Sequence, residues 1–144
     1  MFTESDLFKV HSLTQRGFNF TECLNSIRLD RIKASEGDKL KIILQVVSDY
    51  YKVSEDDIKS QYRKMEIVEA RRMFCYLSRM FTNKSLNKIG LIINRNHATV
   101  LHQFQNIVGY IDIKDKQVLA EIDELTIEYH RLIKLHEEQI RENV

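Results

Sequence analysis

The residues best equipped for metal or nucleophilic chemistry are five histidines and two cysteines, and their spacing serves neither use. His97 and His102 would sit about 140° apart on a helix, so they cannot share an ion. His130 and His136 are six positions apart, and no H-E-x-x-H occurs. Cys23 and Cys75 match no zinc spacing and read as reduced thiols of an intracellular chain. No Ser-His-Asp or Cys-His set has supporting context. The four glycines, Gly17, Gly37, Gly90 and Gly109, form no phosphate-cradling loop. The expectation is a protein that is not an enzyme, with no metal, cofactor or nucleotide.

The charged residues are more informative. The net charge is +1 over 144 residues, but its distribution is uneven. Residues 59–102 hold 9 basic and 2 acidic side chains, whereas residues 1–58 and 103–144 are both net negative. A basic block between acidic flanks points to a polyanionic partner. Proline is absent, and turn residues are too scarce for an all-β domain. Met1 to Val10 has no apolar signal core, and no run approaches the roughly 18 apolar residues of a membrane span. No membrane partner is expected.

The elements that must carry the basic block read as helices. Residues 1–38 form an N-terminal arm, partly helical, with a short helix from Ser5 to Val10 and a break at Gly37-Asp38. Leu40, Ile43, Leu44, Val47 and Tyr51 make a helical stripe, with Asp38 as its N-cap and an end at Lys52-Val53. Ser54, followed by Glu55, Asp56 and Asp57, starts a short second helix. A third helix spans about Ile67 to Phe81, with Ala70, Phe74, Leu77 and Phe81 on one face and Arg71, Arg72 and Arg79 off it. Ser85 caps a fourth helix. Asn94-Arg95 is a tight turn, and Asn96 caps a fifth helix with the stripe Val100, Phe104, Ile107 and Ile111. The Ser85–Tyr110 segment is therefore a helix-turn-helix or an ordinary helical hairpin. A long helix from about Asp115 to Glu142 follows. Its heptad stripe Val118, Ile122, Leu125, Tyr129 and Leu132 packs either on its own domain or on a second copy.

Specific residues narrow this reading. Ser85-Leu86-Asn87-Lys88-Ile89-Gly90, followed by Asn94-Arg95-Asn96-His97-Ala98-Thr99-Val100-Leu101-His102, resembles the signature of the C-terminal DNA-binding domain (domain IV) of the bacterial replication initiator family DnaA. Tyr50-Tyr51-Lys52-Val53 with Asp57-Ile58-Lys59-Ser60, and Ala70-Arg71-Arg72 with Tyr76-Leu77-Ser78-Arg79, are similar to that family's upstream motifs. The resemblance covers about Leu40 to Ile111. Ala70 stands where the family has proline, Asn96 where aspartate is commoner, and Ala98 where it has a hydroxyl residue. Residues 1–38 are too short for the family's ATPase domain, so the expectation is a stand-alone module.

The resemblance implies an all-α fold: a helical bundle containing a helix-turn-helix, like DnaA domain IV and the Trp repressor, with a long C-terminal helix. Three parts follow: the arm (residues 1–38), the helix-turn-helix domain (39–112) and the amphipathic helix (113–144). It also implies roles. Arg95, Asn96, His97, Ala98 and Thr99 would meet base edges in the major groove. Arginine suits guanine and asparagine suits adenine, whereas aspartate would accept from cytosine, so Asn96 shifts the base preference. Arg63 would enter the adjacent minor groove. Lys64, Arg79, Thr82, Lys84, Ser85 and Lys88 would hold phosphates. Arg71 and Arg72 are divided between phosphate binding and pairing with Glu66 or Glu69.

The expected function is sequence-specific binding of double-stranded DNA at an initiator-box-like site, in replication or transcription regulation. The setting would be the cytoplasm and nucleoid of a bacterium or phage host. A homodimer through residues 115–142 is a further partner that the heptads allow. The rival reading is an all-helical interaction protein whose C-terminal heptad helix mediates association with other proteins.

Overall fold

A computed structural model describes Gly17 and residues 33–143 of the chain. The described residues contain helices and no strand, in the order α1 (Glu36–Tyr51), α2 (Glu55–Lys59), α3 (Met65–Phe81), α4 (Leu86–Ile92), α5 (His97–Asp112) and α6 (Lys116–Glu142). The all-α fold expected from the sequence is the fold observed. The helix expected at Ser5–Val10, and most of the N-terminal arm, lie outside the described residues. The chain divides into two compact units, residues 34–135 and residues 1–33 with 136–144. The features that follow all lie within residues 34–135.

Five of the six helix starts among the described residues have a side-chain cap, and α3, which follows Lys64, has none. The Ser54, Ser85 and Asn96 side chains accept hydrogen bonds from the Asp57, Lys88 and Thr99 amides at 3.0, 3.3 and 2.9 Å. These bonds satisfy amides that the helix cannot pair internally. Asp115 does the same for Val118 at the start of α6, at 3.0 Å. The first helix begins differently from the sequence expectation. Its N-cap is Ser35, which accepts from the Asp38 amide at 3.1 Å. Asp38 is therefore a first-turn residue placed against the helix dipole, and Gly37-Asp38 is helix rather than a break. The helix ends use few glycines: Lys52, Asn94 and Lys114 each adopt the left-handed conformation with φ of 56°.

The central element is α3, which packs most heavily against α5 and α1. It begins at Met65, two residues earlier than its periodicity suggests, and residues 73–78 are buried on every side. Phe74, Ile43, Ile58, Met73, Leu77, Ile89, Ile93, Leu125, Val47 and Val100 are fully buried around it. The heptad stripe of α6 joins this core: Leu125 and Tyr129 are buried, and Val118, Ile122 and Leu132 pack against it. Tyr129 stacks on Phe81 with ring centroids 4.6 Å apart. Of the two uses that the heptads left open, the stripe serves its own domain.

The helices α4 and α5 meet at a turn that glycine permits. The Gly90 carbonyl accepts from the Ile93 and Arg95 amides at 3.2 and 2.9 Å. A Cβ built on Gly90 would lie inside contact distance of the Arg95 carbonyl oxygen, 3.1 Å from its carbonyl carbon and 3.2 Å from Val100 Cγ2. Nothing larger than hydrogen fits there.

Candidate nucleic-acid interface

The first turn of α5 presents a short run of small and polar side chains. Asn96 is exposed and caps the helix through its Oδ1. His97 and Ala98 are exposed and Thr99 is half-buried. Val100 lies just beyond them and is fully buried. The helix start is thereby anchored in the core while the preceding side chains stay accessible, and its unpaired amides give that end partial positive charge.

Arg95, expected at a base edge, is half-buried and engages the backbone. Its Nη1 donates to the carbonyls of Ile93 and Asn94, both at 3.1 Å, and its Nη2 to the Ser60 carbonyl at 2.6 Å. The guanidinium is held against the protein's own backbone. Arg71 departs from both roles foreseen for it, phosphate binding or pairing with Glu66 or Glu69. It is buried. Its Nε donates to the Ile58 carbonyl at 2.7 Å, and its Nη2 to Asp57, Ser60 and Tyr62 at 3.1, 2.9 and 2.9 Å. Burial, with the nearby Arg95 charge, lowers the Arg71 pKa from its ordinary value. Two guanidinium groups converge on the Ser60 carbonyl.

These bonds determine where the α2–α3 loop runs. Arg63 and Lys64 lie in it, both exposed. Arg63 shares a cleft with Gln61, Val68, Arg71, Arg95 and Gln103, so the loop and α5 line one depression. The structure thus brings Arg63 close to the recognition-helix signature, 32 residues away in sequence.

The remaining cationic and hydroxyl residues lie on α3, the following connector and the start of α4. Arg79 is exposed, and its guanidinium carbon sits 4.4 Å from the centroid of the Phe104 ring. Phe104 in turn stacks on Tyr76 at 5.6 Å. Cation, α5 ring and α3 ring form one column. Lys84 and Lys88 are exposed. Thr82 Oγ1 donates to the Ser78 carbonyl at 2.6 Å and accepts from the Lys84 amide at 3.3 Å, and Ser85 is engaged as an N-cap. The connector is tied back to α1 by the Asn83 amide, which donates to Glu36 Oε2 at 2.8 Å. That bond, with Lys39 close by, lowers the Glu36 pKa below its ordinary value. Arg72 lies over the Tyr110 ring, 5.8 Å from its centroid. Among the described residues no group of three or more His, Cys, Asp or Glu could hold a metal ion, and no helix is long and apolar enough to cross a membrane.

The sequence reading missed the carbonyl-binding work of Arg71 and Arg95. For Arg71 a signal existed, since it follows Ala70 at the start of an apolar run that makes α3 buried all round. For Arg95 only the fold reveals it, because Ser60 is 35 residues away.

Residues 40–107 match the family described as the bacterial dnaA protein helix-turn-helix. They are a DnaA-type helix-turn-helix domain. The chain is 38% identical over 84 residues to the chromosomal replication initiator protein DnaA of Bacteroides thetaiotaomicron, covering 58% of this chain and 18% of that protein. It is 44% identical over 63 residues to DnaA of Desulfatibacillum aliphaticivorans, covering 44% of this chain and 14% of the relative. With DnaA of Xanthobacter autotrophicus it shares 31% identity over 122 residues, covering 83% of this chain and 24% of the relative. The chain thus spans less than a quarter of the length of these curated relatives. In this DnaA-type domain the family match ends at Ile107, inside α5, while the core continues into α6 through Leu125 and Tyr129.

Proposed function

We propose that this chain binds double-stranded DNA sequence-specifically, with the first turn of α5 in the major groove and the Arg63 loop against the adjacent minor groove. The observation that carries this reading is the joint placement of the two readers. The exposed Arg63 loop shares a cleft with Arg95, the residue before the Asn96 cap, and with Gln103 of α5, within the segment that matches the dnaA helix-turn-helix. Relatives named chromosomal replication initiator protein support a role at initiator-box-like sites, in control of replication or of transcription near them. Such a role belongs to the bacterial cytoplasm and nucleoid.

In this reading Asn96, His97, Ala98 and Thr99 face base edges. Asn96 pairs with adenine, and Ala98 meets a thymine methyl group. Arg79, Lys84 and Lys88 are the phosphate cations, with Lys64 beside Arg63 and with Thr82 and Ser85 shaping the connector. The rival reading, protein association through the C-terminal heptads, is weakened because Val118, Ile122, Leu125, Tyr129 and Leu132 are engaged with the core. The same packing leaves no heptad seam for a homodimer through residues 115–142.

The test is fluorescence anisotropy with a duplex carrying an initiator-type box and with a scrambled duplex, over a salt series. The box should bind more tightly. Neutralising about five to seven phosphates gives log K a slope of about −4 to −6 against log salt. His97→Ala should weaken binding to the box by ~1–3 kcal/mol and leave the scrambled duplex nearly unaffected, while Arg79→Ala should weaken both. Absence of binding to either duplex at low salt overturns the proposal.

A further inference from the structure

The α2 end and the loop after it are gripped from two sides. From α3, Arg71 holds the carbonyls of Asp57, Ile58, Ser60 and Tyr62. From the turn between α4 and α5, Asn94 Nδ2 donates to the Lys59 carbonyl at 3.2 Å, and Arg95 Nη2 to the Ser60 carbonyl at 2.6 Å. The carbonyls of residues 57–60 and of Tyr62 are thus all engaged by three side chains, that of Ser60 by two of them. Within the loop, the Tyr62 amide donates to Ser60 Oγ at 3.2 Å. The next residue is Arg63.

We infer that Arg95 and Asn94 are positioning residues that fix the Arg63 loop to the start of α5, so that the two DNA readers form one preset unit. The inference rests on the DNA-binding reading above. Its physical basis is the direction of the bonds. The Arg95 guanidinium donates to backbone on both sides of the junction, to Ile93 and Asn94 in the turn and to Ser60 in the loop. Removing it leaves the turn tied to this segment only by the Asn94-Lys59 bond, while Arg71 still holds the loop to α3. Arg63 then has to find its groove without a fixed distance to the helix, and that search lowers affinity. Because Arg95 acts through Arg63, its loss cannot weaken binding more than the loss of Arg63 itself.

The experiment is a double-mutant cycle. Wild-type protein selects a site from random duplex DNA. That duplex is titrated with wild type, Arg63→Ala, Arg95→Ala and the double variant. Arg95→Ala should weaken binding about tenfold, within the range of one specific contact, and the double variant should bind about as weakly as Arg63→Ala alone. Selection repeated with Arg95→Ala should return the same preferred bases. Amide hydrogen exchange without DNA should speed up at Ser60 and Tyr62 and stay unchanged in α1. Multiplied losses in the cycle, relaxed preference at one base, or unchanged Ser60 and Tyr62 exchange would each overturn the inference. If Arg95→Ala does not fold, Asn94→Gly keeps the left-handed turn, deletes the Lys59 bond and runs through the same cycle with a smaller effect. If wild type enriches no sequence, the DNA reading fails, and the exchange result alone decides whether Arg95 holds the loop.

Discussion

Gly90 and Gly109 are both helical glycines, and the structure assigns opposite signs to their replacement by alanine. On helix propensity alone each change should stabilise by ~0.5–1 kcal/mol, since alanine loses less backbone freedom on folding. At Gly109 nothing lies within 4 Å of the added Cβ, so that gain should be realised. At Gly90 the methyl would enter the Arg95 carbonyl and press on Val100 Cγ2 at 3.2 Å. The obstruction is backbone, and the Arg95 amide is hydrogen bonded to the Gly90 carbonyl at 2.9 Å. Overpacking of this kind costs about 1–3 kcal/mol, and a strained turn hydrogen bond about 1 more. After the propensity gain, Gly90→Ala should destabilise by about 1–3 kcal/mol. Urea unfolding followed by far-ultraviolet circular dichroism separates the two variants, with Gly109→Ala above wild type in midpoint and Gly90→Ala below it. A Gly90→Ala protein as stable as wild type would refute the claim that the α4–α5 turn needs that close approach.

Other features of the core and the helix ends carry their own tests. Lys114 sits at φ 56°, a conformation disfavoured for a side-chain residue by about 1–2 kcal/mol; Lys114→Gly should raise the urea midpoint by a net ~0.5–1 kcal/mol after the entropy cost of glycine. Arg71→Met should lower stability by about 3 kcal/mol, because four backbone carbonyls lose a charged donor, and the same urea titration reads it. Burial raises the Glu121 pKa above its ordinary value, while Tyr51 and Gln117 hydrogen bonds oppose the rise. The folded state therefore holds the Glu121 proton more tightly than the unfolded one, and stability falls as pH rises from 4.5 through the raised folded value. Glu121→Gln should accordingly be more stable than wild type at neutral pH, with the difference closing in acid unfolding profiles below that window. Burial pushes the Cys75 thiol up to about 12; peptide mapping after treatment with a thiol reagent at mildly alkaline pH should find Cys75 unlabelled in the folded protein and labelled in denaturant.

Local chemistry made most of the helix-turn-helix legible. Ser54, Ser85 and Asn96 cap their helices at the positions that their residue types and the apolar periodicity together indicate. At the first helix two cap candidates, Ser35 and Asp38, lie three residues apart, and either could start it. Ser35 prevails because helix can run through Gly37, which leaves Asp38 to supply first-turn charge. The α6 stripe was visible as a heptad pattern, yet such a pattern records only that a face is buried, not which partner covers it. Lys52 and Lys114 ending helices in a left-handed conformation were illegible, since lysine has no intrinsic preference for it. Arg71 and Arg95 look like surface cations by type. Their work depends on carbonyls brought close only by folding, and residue type alone cannot foresee it.

The column formed by Arg79, Phe104 and Tyr76 bears on the thermodynamics of any phosphate contact that Arg79 makes. A free surface arginine samples many rotamers, and ordering it on binding forfeits up to ~2 kcal/mol of side-chain entropy. With its guanidinium lodged on the Phe104 face, that loss is incurred during folding and shared with ring stacking that the core already favours. The charge arrives at the phosphate already oriented. A lysine at this position would carry the same charge and the same counterion exchange, but it would have to be immobilised anew at each encounter. The difference would appear in the entropy of association rather than in its dependence on salt.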